Sequence, residues 1–292
     1  MNWKDWPIET IEKKDFPEQL KNIRNCPLKL YYRGEWNDKL FKKSLTIVGS
    51  RRMTRYGREV IEKFMPELVA NGLTIISGFM YGVDTESHQK CLELGGKTIA
   101  VLGGGLDVLT PTENDDLYSQ ILDNGGVVVT EYENDFQPTL WSFPQRDRIV
   151  AGLANTGVLV IEAGMKSGSL ITARFGREQE KCVWAVPGPI TSSVSAGTNY
   201  LIENNLAKMI TEASQITQKK AILTQTNIFE DNIPEDQKKI INILKIEPLT
   251  VDEISRSLKK NVAEIGLAIS MMSLNDLVTE ENGKIYIKNS RK

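Results

Sequence analysis

The chain has 292 residues, of which 40% are hydrophobic and 25% charged, with 36 Lys and Arg against 38 Asp and Glu and a formal net charge of −2. These proportions fit one large globular domain with appendages or two unequal domains, and the slight acidity excludes a uniformly basic nucleic-acid coat. No apolar run approaches the roughly 20 residues of a bilayer span. A single histidine, His88, and three scattered cysteines, Cys26, Cys91 and Cys182, leave no zinc-ligand spacing and no disulfide framework.

Residues 1–43 mix Trp, Pro and Lys and contain no continuous apolar segment, so we expect a short helical extension, no leader peptide and a cytoplasmic address. From Ser44 to about Ile210 one pattern repeats: a short β-rich apolar run ending in a small residue, then an amphipathic stretch. The runs are LTIVGS (45–50), LTIISG (73–78), KTIAVLG (97–103), GVVVTE (126–131), GVLVIEA (157–163) and KCVWAVPG (181–188). Short apolar strands alternating with helices predict an α/β domain over 44–210, a Rossmann-like, doubly wound, mostly parallel sheet covered on both faces. Such sheets bind ligands beyond the carboxyl ends of their strands, which places the small residues ending each run at the binding edge.

Residues 211–236 are polar, include Pro234, and read as a linker. Residues 237–292 spell three helices, with Thr250 as an N-cap, then two β-like runs around Asn282-Gly283, the turn preferred in hairpins. That order predicts a small C-terminal winged-helix domain. Its third helix, within Asn261 to Ser273, carries no Lys or Arg and one acid, Glu264, which fits a protein-contact module better than a sequence-reading one.

Charge is unevenly distributed. Lys39 to Lys63 holds Lys39, Lys42, Lys43, Arg51, Arg52, Arg55, Arg58 and Lys63 against Glu59 and Glu62, whereas Thr110 to Leu140 holds only carboxylates. Arg51 and Arg52 directly follow Gly49-Ser50 at the end of the first strand, close to the start of the next helix, a phosphate-attracting position. Phe143, Arg146 and Arg148 form a second cluster, in which an aromatic ring beside guanidiniums suits a stacked base and its phosphates. In the third, Lys166, Ser167, Gly168 and Ser169 lie between a strand and a helix, where backbone amides are able to hold a phosphate.

Enzyme motifs are weaker. The run GGGLDV (103–108) has no third glycine of a dinucleotide fingerprint, and no P-loop exists. Ser77, Asp84 and His88 invite a triad reading, but Asp84 and His88 fall one helical turn apart and no nucleophile elbow surrounds Ser77. We expect no catalytic residues, no cofactor and no bound metal.

Taken in order, GSR (49–51), SGFMYGVDTESH (77–88), GGGLDVLTPTEN (103–114), FPQRDRIVAGL (143–153), EAGMKSGSLITAR (162–174), AVPG (185–188) and GTNYLI (197–202) closely resemble the DNA-processing protein A family, DprA or Smf. The resemblance runs from residue 16 to about residue 210. It implies a Rossmann-like, homodimeric, single-stranded DNA-binding protein that protects incoming DNA and helps load a RecA-type recombinase in natural transformation or recombination, with no membrane association. Carried over by motif, the DNA pocket comprises Gly49, Ser50, Arg51, Phe143, Arg146, Arg148 and the stretch from Lys166 to Thr172. The chain departs from the usual family pattern at Asp147, within Arg-Asp-Arg in place of Arg-Asn-Arg, and at Glu180-Lys181 in place of Gly-Arg. Asp147 is expected to weaken DNA affinity. The rival reading is a phosphoribohydrolase-like enzyme that processes nucleotides on the same fold.

Overall fold

A computed structural model describes residues 2–217, 234–244, 247–275, 277–281 and 283–287. The chain divides into two compact units, Met1–Leu223 and Thr224–Lys292.

In the first unit, β1 (Glu9–Glu12) and α1 (Glu18–Lys21) precede β2 (Lys29–Gly34) and α2 (Lys39–Lys42). The alternation then runs β3 (Ser44–Val48), α3 (Arg55–Ala70), β4 (Thr74–Ser77), α4 (Val83–Glu93), β5 (Thr98–Val101), α5 (Asp115–Asp123), β6 (Val127–Thr130) and α6 (Ser142–Leu153). It continues through β7 (Gly157–Val160), α7 (Ser169–Glu178), β8 (Cys182–Ala185), α8 (Ala196–Glu203), β9 (Lys208–Met209) and α9 (Ser214–Thr217). All six apolar runs read from the sequence are strands. They form one sheet of order β1-β2-β6-β5-β4-β3-β7-β8-β9, parallel from β6 to β9, with β1 and β2 antiparallel at one edge.

Strands β3 to β7 are buried throughout, as a sheet covered on both faces requires. Side chains divide between the faces with period two. Val158 and Val160 meet Ile149, Val150 and Leu153 of α6, while Leu159 and Ile161 meet Ile61, Phe64 and Leu68 of α3. Burial at this scale contributes about 1.5–3 kcal/mol per large apolar side chain and supplies most of the driving force. Buried hydroxyls tie the layers together: Thr46 Oγ1 donates to the Val150 carbonyl at 2.6 Å and Ser77 Oγ to that of Ile47 at 2.6 Å.

The chain winds outward from β3 to β6, then crosses back so that β7 lies on the other side of β3. The carboxyl ends of β3 and β7 are therefore neighbours, with Val48 paired to Val160, and the crevice between them is the topological switch point.

Two expected boundaries shift. The N-terminal 43 residues are not a helical extension: they supply two strands, and β2 covers the edge of β6 that would otherwise stand open. Leu20, Ile23, Leu30, Leu40 and Phe41 share a core with Val48 and Leu153, so no domain break falls at residue 43. Near residue 211 the expected linker still belongs to the first unit, since Ala213 and Ile216 pack beside Ile210. Residues 218–233 lie outside the described residues.

The second unit comprises α10 (Glu235–Leu244), α11 (Val251–Leu258), α12 (Val262–Leu274) and an antiparallel pair, β10 (Val278–Glu281) with β11 (Lys284–Ile287). Thr250 and Glu253 form a reciprocal capping box at the start of α11. Ile240, Leu244, Ile254, Ile265, Ile269, Met272, Val278 and Ile285 make its core. Gly283 takes φ of 77° in the hairpin turn; its predicted neighbour Asn282 lies outside the described residues. Among the described residues no helix is long and apolar enough to cross a membrane.

Candidate nucleic-acid interface

At the switch point the loops after β3, β4 and β7 and the first turns of α6 enclose a groove of about 650 Å³. Of the sequence-predicted residues, Gly49, Ser50, Arg51, Arg52, Phe143, Arg146, Lys166, Ser167, Gly168, Ser169 and Thr172 line it. The sheet topology brings together segments roughly a hundred residues apart.

Gly49 has no side chain because none fits: a Cβ there would stand 2.6 Å from Val83 Cγ2 and 2.9 Å from the Glu162 carbonyl oxygen. The backbone consequently turns tightly out of β3 and delivers Arg51 and Arg52, both exposed, to the rim. Ser50 is buried, and its hydroxyl accepts from the Arg52 amide at 3.0 Å, which fixes the turn. The Arg51 guanidinium lies over the Phe143 ring, 5.3 Å from its centroid. Phe143 in turn packs on Gly103, where a Cβ would come within 2.8 Å of the ring. The other glycines of GGGLDV are also taken up by packing: positions 104 and 105 abut Pro138 and the Asn134 carbonyl, not a ligand space.

Lys166, which also lines the groove, is exposed beside Ser167 and the start of α7. The three amides expected to hold a phosphate are not equally available. The Ser167 amide donates to the Gly164 carbonyl at 3.0 Å, and the Ser169 amide faces Ser167 Oγ at 3.4 Å. The start of α3 is likewise occupied, because buried Glu162 accepts from the Thr54 amide at 2.9 Å and the Thr54 hydroxyl at 2.5 Å. A carboxylate at a helix N-terminus satisfies the orphan donors that an anion would otherwise use. The rim thus offers an anion its exposed side-chain cations, not the α3 terminus.

The floor is ionic and mostly buried. Arg146 is 3% exposed; it donates to the carbonyls of Gly78 and Val101 and, through Nε, to Asp147 at 3.1 Å. Asp84 completes this cluster, and its carboxylate accepts from the Met80 amide at 3.3 Å. Burial pushes the Asp84 carboxyl up to about 6 against the opposing pull of Arg146. Burial also pushes Asp147 up to about 6, with Arg146 lowering it and the Asp84 charge adding to the rise. Above that range the floor holds two carboxylates around one guanidinium, while Arg51, Arg52 and Lys166 stand at the rim.

Arg148 is the correction. It does not line the groove: its guanidinium makes two 2.6 Å bonds to Glu131 and one of 3.0 Å to the Asn25 carbonyl, and it is 5% exposed. One helical step from Asp147 turns it toward Glu131 and Asn25, with which it forms a structural ion pair and a hydrogen bond. Arg55 also faces away from this use, pairing with Glu59 at 2.9 Å. Sequence reasoning missed Asp84, Met80, Leu140, Ser193 and Val194 as lining residues. Only Asp84 had drawn notice, for a triad that the structure does not assemble: His88 Nδ1 bonds Thr98 Oγ1 at 2.6 Å, while Ser77 bonds the backbone. Burial drives His88 down to about 3, so it is a neutral core residue.

The family model for DNA recombination-mediator protein A matches residues 8–221. The chain belongs to the DprA/Smf family. The DprA of Streptococcus pneumoniae is 40% identical over 211 residues, covering 72% of this chain and 73% of its own. Protein Smf of Escherichia coli is 39% identical over 219 residues, 74% of this chain, which spans 58% of that relative's length. Among solved structures, the S. pneumoniae DprA superposes with a TM-score of 0.67 at 38% identity, over 75% of this chain and 76% of its own. The Helicobacter pylori DprA, described for its single-stranded DNA binding mode, superposes with a TM-score of 0.65 at 31% identity, over 73% of this chain and 95% of its own. The DprA/Smf match thus spans the sheet and every loop that lines the groove.

Proposed function

We propose that this protein binds single-stranded DNA in the switch-point groove, protects it, and passes it to a RecA-type recombinase, acting as a cytoplasmic homodimer. The observation that carries the reading is the Arg51–Phe143 stack in the same groove as exposed Lys166. A ring with one face against a guanidinium, at the edge of a groove flanked by cations, suits an unpaired base and its phosphates. A duplex does not expose its base faces in this way, so the arrangement favours single strands. The DNA-processing role of DprA relatives and the H. pylori DNA-binding structure support the same reading.

The enzyme reading draws on Asp84 and Asp147, whose carboxyls near 6 would suit proton transfer. Both lie against Arg146, however, which makes them counter-charges to a buried guanidinium. Fluorescence anisotropy with matched single- and double-stranded oligonucleotides tests the binding reading; a preference for the duplex would overturn it. Incubation with nucleoside monophosphates tests the other, and release of free base would restore it. Adding recombinase to the anisotropy series reads the handover directly.

A further inference from the structure

The floor of the groove presents a ligand with acceptors more than donors. Asp84 and Asp147 both line it, and both lie against the Arg146 guanidinium. That guanidinium is largely committed. Its Nε donates to Asp147 and its Nη1 to the carbonyls of Gly78 and Val101, and 3% of the side chain reaches the surface, against 13% for Asp147. A carboxylate accepts hydrogen bonds and donates none. Two carboxylates also outnumber the one guanidinium between them, so the field at the floor draws the positive end of a ligand's dipoles. The neighbouring hydroxyls do not reverse this, because those of Ser167 and Ser169 bond each other at 2.7 Å and Thr172 is buried beside Asp147. Arg51, Arg52 and Lys166 line the same groove and are exposed, which leaves phosphates to the cations and a base edge to the acceptors.

Asp147 stands four residues after Phe143 on α6, one turn further along the same face of the helix. A base held at the Phe143 ring therefore turns an edge toward that carboxylate. We infer that the groove selects among unpaired bases through Asp147, favouring those whose Watson–Crick edge carries an amino group over those that present only carbonyls beside a ring N–H. The inference rests on the single-strand reading above. Cytosine and uracil make the comparison sharp, since they differ in one exocyclic group: an amine with two N–H donors, or a carbonyl oxygen. The amine donates to the Asp147 carboxylate, whereas the carbonyl meets it acceptor to acceptor. Uracil's one ring N–H lies between two carbonyl oxygens, both repelled by the carboxylate to which it would donate. Adenine and guanine carry an amino group and stand with cytosine; thymine stands with uracil. In a duplex this edge is taken up by pairing, so the selection acts on single strands.

Fluorescence anisotropy of the full chain with labelled oligodeoxycytidylate and oligodeoxyuridylate, each of about 16 nucleotides, tests the inference. The series is run at about pH 7.5, above the range in which Asp84 and Asp147 take up protons. The two oligomers carry the same phosphates, so their salt slopes are expected to agree while the deoxycytidylate binds at least about fivefold tighter, the low end for one good base contact. Asp147→Asn keeps the shape of the side chain and an acceptor for Arg146 but adds an amide donor, so the ratio is expected to fall to within about twofold, chiefly through a gain on the deoxyuridylate. Equal affinities in the parent chain, or tighter binding of deoxyuridylate, would overturn base selection and leave single-strand binding standing; this comparison depends on no variant. A ratio that survives Asp147→Asn in a folded chain would remove Asp147 as its source. Binding of neither oligomer would sink the single-strand reading itself, and the selection with it.

Discussion

Replacing Arg51 by alanine separates binding from folding, because Arg51 is exposed and its guanidinium lies over the Phe143 ring. The unfolding free energy is expected to stay within about 0.5 kcal/mol of the parent, the range of surface substitutions. Binding is expected to lose one phosphate contact and the guanidinium side of the stacking platform, together about 1–3 kcal/mol, or roughly 5- to 150-fold in Kd. The logarithmic salt slope should also fall by about 0.7, the increment for one single-strand phosphate. Anisotropy of a labelled oligothymidylate across a sodium chloride series measures both quantities on one sample. A parent-like affinity with a parent-like slope would refute the assignment of this rim to DNA, however well the chain folds.

Further outcomes follow from the same contacts. Arg148→Ala should destabilise the fold by about 2–4 kcal/mol in denaturant titration, because it leaves Glu131, whose side chain is only 13% exposed, without its counter-charge; a surface-sized effect would contradict the structural role given to Arg148. DNA affinity should rise as pH falls from about 7.5 to 5.5, since Asp84 and Asp147 take up protons near 6 and the floor loses negative charge. Both folded-state values lie above the ordinary carboxylate value of 3.8, so the linked stability is present at low pH and is lost as pH rises through about 6. Asp147→Asn should tighten binding several-fold at pH 7.5 and hardly at 5.5; an equal gain at both would show that charge at this position is not the cause. Glu180→Gly should raise stability by about 0.5–1 kcal/mol, since Glu180 holds a left-handed φ of 57° at the end of α7; a loss on thermal melting would count against strain there.

The amino-acid order alone determined the six parallel strands, the carboxyl edge as the place of the groove, and the three helices with a hairpin that follow. Each of these depends on local periodicity or on a turn residue, as Thr250 does at the start of α11 or Gly49 at the end of β3. Motif order also carried the family, and with it Phe143 and the stretch from Lys166 to Thr172. Three things were decided only in three dimensions. The first is which cations are available: Arg146 and Arg148 stand two residues apart on α6, yet one enters the groove floor and the other is locked to Glu131, because 200° of helical rotation separates them. The second is the fate of the helix termini, where Glu162, far away in sequence, takes the α3 N-terminus that Arg51 had seemed to share with a phosphate. The third is the N-terminal segment, whose β2 strand forms because β6 needs a partner at its edge. Burial, pairing and neighbouring charge are set by residues distant along the chain, and no spacing within a segment encodes them.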